Sequence, residues 1–78
     1  MQTKTLKAFS AAKLKAAREQ KGISQETLAR FLFNAGYPCT RQTVTNWELK
    51  LSNPPIKAVP FLSEILGQEI GYFFAIEQ

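Results

Sequence analysis

Apolar residues recur along this chain at helical spacing, in short blocks separated by polar caps, glycines and prolines, and no stretch alternates in the way a half-buried strand would. Ser10, Ser24 and Thr40 each stand before such a block, where a hydroxyl can accept from the unpaired amides of a first helical turn. Around each cap an apolar pair is placed to staple the helix start: Phe9 with Leu14, Ile23 with Leu28, and Cys39 with Val44. Gly22 and Gly36 follow the first two blocks as left-handed stops. Helices are therefore expected over about 11–21, 25–35 and 41–50. After the stiff Asn53-Pro54-Pro55 loop, a fourth helix is expected from Lys57 or Ala58, where Pro60 is tolerated in the first turn. Its inward face is Phe61, Leu62, Ile65 and Leu66, and Gly67 closes it. An aromatic-rich fifth helix, Ile70 to Ile76, is expected to complete the core with Ile70, Phe73 and Phe74. The predicted fold class is all-α with five helices.

The third helix carries the chemistry. Val44 and Trp47, three apart, are its only apolar stripe and belong to the core, so Arg41, Gln42, Thr45 and Asn46 project the other way. A helix with one apolar edge and one donor-rich edge suits a DNA major groove. Arginine can grip guanine O6 and N7 with two parallel bonds, and glutamine or asparagine can do the same to adenine N6 and N7.

Composition narrows the alternatives. A chain of 78 residues has room for one domain and one small core, and no apolar run approaches the roughly 18 residues of a membrane span. Lysines interrupt every apolar stretch between Thr3 and Leu14, unlike a secretory signal, and the single Cys39 makes no internal disulfide, so a cytoplasmic location is expected. Residues 1–50 hold nine of the ten basic residues against Glu19, Glu26 and Glu48, a balance of +6, whereas residues 51–78 carry −2. Such asymmetry is the electrostatic footprint of a nucleic-acid binder and equally that of a solvated basic face. An enzyme reading has little behind it: there is no histidine, no glycine-rich phosphate loop and no set of metal-ligand spacings, so neither metal nor cofactor is expected.

The run Leu14-Lys15-Ala16-Ala17-Arg18-Glu19-Gln20-Lys21-Gly22-Ile23-Ser24-Gln25-Glu26-Thr27-Leu28-Ala29, followed by Arg41-Gln42-Thr43-Val44-Thr45-Asn46-Trp47-Glu48, resembles the lambda-repressor-like helix-turn-helix family, the Cro/CI or XRE type. The resemblance covers about residues 10–74. It implies that the third helix enters the major groove with Arg41, Gln42 and Asn46 at base edges and Thr45 at the margin. It also implies phosphate contacts from Gln25, Thr40, Thr43, Lys50 and Asn53, which set register without reading sequence. Gln25 has a second reading as a solvated first-turn residue, and Thr40 is an N-cap whatever else it does. Finally, the resemblance implies a structural clamp between Arg18 and Glu48.

Two departures stand out. The connection Phe33 to Cys39 is longer than the family's tight turn and is similar to that of POU-specific domains, and Lys50 occupies the place of a usual glycine, so the third helix is expected to run on or to end without a left-handed residue. The expected organisation is a flexible basic arm over 1–9 and one DNA-binding domain over 10–76. The expected role is a sequence-specific transcriptional regulator binding double-stranded DNA, a bacterial or phage repressor, nucleoid-associated when bound, with neither a membrane nor a small-molecule substrate as partner. A homodimer on paired half-sites is the expected assembly, with Tyr72, Phe73, Phe74 and Ile76 offering apolar area for pairing or simply closing the core. The rival reading is an antitoxin or adaptor that binds protein on the same fold.

Overall fold

A computed structural model describes residues 7–76. Among them four α-helices form the body: α1 Ala11–Gln20, α2 Gln25–Ala35, α3 Arg41–Glu48 and α4 Val59–Leu66. A 3-10 turn at Ile56–Ala58 leads into α4, whose first turn accommodates Pro60 because an amide there has no intrahelical acceptor. A second 3-10 turn, Ile70–Phe73, is followed by a short strand.

The helix starts follow their local chemistry. Ser10, Ser24 and Thr40 sit in extended backbone and accept from the amides of Lys13, Thr27 and Thr43. Phe9, Ile23 and Cys39 are half-buried against a core that contains Leu14, Leu28 and Val44, as the three staples require. Gly22 and Gly36 adopt φ of 73° and 110°, ending α1 and α2 in a conformation that costs an L side chain free energy. Leu14, Leu28, Leu32, Val44, Leu62 and Phe73 are fully buried where the four helices meet. Each contributes about 1.5–3 kcal/mol by leaving water.

Three expectations give way to tertiary context. The fifth helix is absent: Ile70–Phe73 is a single 3-10 turn, with the Tyr72 amide donating to Glu69 O at 2.9 Å, and Phe74–Ile76 is a strand. The segment is too short to nucleate an α-helix alone, and Gly71 weakens it further. Ile70 accordingly stays 47% exposed and is not part of the core.

The second difference is at the amino end. Of the segment read as an arm, residues 1–6 lie outside the described residues, whereas Lys7–Phe9 form β1 and pair antiparallel with β2, Phe74–Ile76. The register sets Lys7 opposite Ile76, Ala8 opposite Ala75 and Phe9 opposite Phe74. The Ser10 amide continues the link by donating to Phe73 O at 2.7 Å. Phe9 stacks on Phe73 with ring centroids 5.9 Å apart and meets Phe74 edge-on, so these aromatics help hold β1 against β2. A two-stranded ribbon needs such packing to persist.

The third difference concerns α3. It ends at Glu48 rather than running to Lys50, and Lys50 is left-handed with φ of 66°, the one such non-glycine among the described residues. The Leu51 amide donates to Asn46 O at 2.9 Å and the Lys50 amide to Trp47 O at 3.3 Å, the bond pattern of a Schellman stop with lysine in the glycine position.

Candidate nucleic-acid interface

Helices α2 and α3 pack directly on one another, and the connection between them is anchored rather than loose. The Tyr37 amide closes the end of α2 onto Leu32 O at 2.8 Å. Its ring lies between Trp47 at 6.4 Å and Phe61 at 5.7 Å, tying the connection to α3 and α4. Burial pushes the Tyr37 hydroxyl and the neighbouring Cys39 thiol above their ordinary pKa ranges, which keeps both neutral. Tyr37 was not legible as an anchor from sequence, because its ring partners come from two other helices.

Within α3 the inward edge is Val44, fully buried, and Trp47, 3% exposed. Arg41 and Gln42 are exposed, while Thr43, Thr45 and Asn46 are half-buried on the remaining faces. Gln42 Nε2 donates to Asn46 Oδ1 at 2.9 Å one turn on, so two of the three outward polar tips already touch each other. At the start of the helix, Thr40 Oγ1 accepts from the Thr43 amide at 3.4 Å and lies 3.3 Å from the Thr43 hydroxyl.

Beneath this surface Arg18 and Glu48 form the clamp. Arg18 Nε donates to Glu48 Oε2 at 2.6 Å and Nη2 to Oε1 at 3.1 Å, a two-point pairing of side chains only 10% and 3% exposed. Arg18 Nη1 donates further to Ile23 O at 2.8 Å, next to the cap of α2. Hydrogen bonding to Glu48 raises the Arg18 pKa above its ordinary value, outweighing the opposing effect of burial. Glu48 Oε1 also accepts from Gln25 Nε2 at 2.9 Å, and Gln25 Oε1 accepts from the Thr45 hydroxyl at 2.7 Å. Gln25, half-buried at the first position of α2, is thus bonded to α3 at both ends of its amide.

A helix-turn-helix family profile matches residues 14–73, which span α1 through the second 3-10 turn. The chain belongs to the lambda-repressor-like helix-turn-helix family. It is therefore a DNA-binding regulator in general class. Neither the curated proteins nor the solved structures provide a match.

As a helix-turn-helix protein it has α2 and α3 as the motif's two helices, and the remaining site residues fall around them. Arg41 joins Arg18, Ser24, Gln25 and Glu26 around a shallow cleft where the amino ends of α2 and α3 converge. Lys50 and Asn53 line a second cleft together with residues 8–12. Of the expected phosphate residues, Gln25 thus lines the first cleft beside the base-edge candidate Arg41, and Lys50 and Asn53 line the second. No helix among the described residues is long and apolar enough to cross a membrane.

Proposed function

We propose that this helix-turn-helix protein is a sequence-specific transcriptional regulator, a repressor of bacterial or phage type, that inserts α3 into the major groove of double-stranded DNA. The observation that carries the reading is the inward anchoring of Val44 and Trp47, which leaves Arg41, Gln42 and Asn46 on the outer side of α3. Thr45 contributes at the margin of the base contacts. Thr40, Thr43, Lys50 and Asn53 serve phosphates, as does Gln25 through the Nε2 hydrogen not given to Glu48. Repression follows from occupancy, with the bound domain excluding polymerase and performing no chemistry. Two copies on inverted half-sites about one helical turn apart are the expected arrangement. Binding then takes place inside the cell, on the nucleoid.

The direct test selects bound duplexes from a random library at near-physiological salt and then compares variants on the selected site. Arg41→Ala and Gln42→Ala are each expected to relax base preference at separate positions by about 1–3 kcal/mol. Equal losses on selected and scrambled DNA for both variants would reject base reading by α3.

An adaptor or antitoxin role draws on a different observation, the exposure of Leu49, Leu51 and Ile56 at 61%, 71% and 77% in the segment after α3. Salt separates the two readings. DNA affinity falls linearly in log K against log salt, while an apolar protein interface scarcely responds.

A further inference from the structure

Gln25 is held at three levels of the molecule at once. Its Oε1 takes the Thr45 hydroxyl at 2.7 Å, its Nε2 gives to Glu48 Oε1 at 2.9 Å, and the same carboxylate is gripped by Arg18 at 2.6 Å. A continuous polar chain therefore runs from Thr45 on the reading helix, through the first residue of α2, back to the end of α3 and across to α1. Only an amide fits the middle place. It must accept on one side and donate on the other, whereas a carboxylate would oppose Glu48 and an alanine would break the link between Thr45 and Glu48.

The mechanical consequence concerns rotation of α3. Val44 and Trp47 fix one edge of the helix in the core, and the Arg18–Glu48 pair holds it at its last residue. The Thr45–Gln25 bond adds a point on another side of the helix, part-buried and braced by a carboxylate that is itself only 3% exposed. Base edges discriminate only when the reading groups are held within about 0.5 Å. A phosphate contact made by Gln25 alone would do something else: it would weaken all DNA alike.

We propose that Gln25 is a positioning residue that joins Thr45 to the Arg18–Glu48 clamp and so sets the pose of α3, making base discrimination, and not affinity alone, depend on its amide. The proposal rests on the reading of α3 as the base-reading helix. Its measurement is the ratio of Kd for a scrambled duplex to Kd for the selected duplex, taken for the full chain, Gln25→Ala, Thr45→Val and the double variant, below the melting temperature of each. Gln25→Ala and Thr45→Val are each expected to lower that ratio by about threefold to tenfold, the scale of one hydrogen bond. The double variant is expected to fall no further than the lower single one, because both remove the same link. A loss of stability without repositioning moves the melting temperature and leaves the ratio where it was. Gln25→Met keeps the stem, lacks the amide and takes the place of Gln25→Ala if the latter does not melt cooperatively. Equal weakening on both duplexes, or losses that multiply in the double variant, overturn the positioning role while leaving the DNA-reading role standing. A parent protein with no preference between the duplexes overturns both.

Discussion

At the scale of single residues, Lys50 is the position where local chemistry and the fold disagree. A left-handed lysine costs about 1–2 kcal/mol relative to a helical one, a cost glycine does not carry. The expected outcome of Lys50→Gly is a gain of about 1 kcal/mol, which raises Tm by roughly 4–8 °C in a domain of this size. If Lys50 serves a phosphate, the same variant binds DNA more weakly, and its plot of log K against log salt is shallower by about one unit. Calorimetry and a salt titration check the two halves separately. The conformation was not legible from the residue type, since lysine argues against a left-handed stop. Asn46 and Trp47 carbonyls impose it by accepting from the amides of Leu51 and Lys50.

At the scale of elements, the Arg18–Glu48 pair joins α1 to α3, and Gln25 ties α2 to the same carboxylate. Because both side chains of the pair are nearly excluded from water, removing one strands the other. Arg18→Ala is expected to cost about 3–5 kcal/mol, a drop of at least roughly 12 °C in Tm or loss of the cooperative transition altogether. Thermal melting checks it, and an unchanged midpoint removes the clamp. Helix limits were readable at this scale because caps, staples and glycine stops act within a few residues: α2 begins at Gln25 after Ser24 and ends at Ala35 before Gly36, as the pattern requires. The clamp was available only through the family resemblance. The bonds from Gln25 to Thr45 and Glu48 were hidden altogether, because they depend on how α2 is turned against α3.

For the whole molecule, the ribbon of β1 and β2 joins segments nearly seventy residues apart. Phe9 is half-buried between Phe73 and Phe74, so Phe9→Ala is expected to cost about 1–3 kcal/mol, less than the 3–5 of a fully buried phenylalanine. Hydrogen exchange should then show the Ser10 amide, bonded to Phe73 O, losing protection while amides within α2 and α3 keep theirs. Unchanged protection at Ser10 would mean that the ribbon does not depend on this ring. The same arrangement spends Phe73 on the core and leaves Tyr72 and Phe74 half-buried, which reduces the area open for pairing two copies at this end. The most exposed large apolar side chains among the described residues are Phe33, Leu49, Leu51 and Ile56.

The sequence alone determined the helical body, the ends of α1 and α2, the inward placement of Val44 and Trp47 and the outward chemistry of Arg41, Gln42 and Asn46. Each of these follows from interactions spanning one or two helical turns. Tertiary structure decided the ribbon between Lys7–Phe9 and Phe74–Ile76 and the links of Gln25, while the short turn in place of a fifth helix and the left-handed Lys50 follow from bonds within a few residues that the residue types did not reveal. The ribbon and the Gln25 links satisfy backbone and side-chain polar groups across distant segments. No local pattern encodes such pairings, because the partner becomes adjacent only once the core has closed.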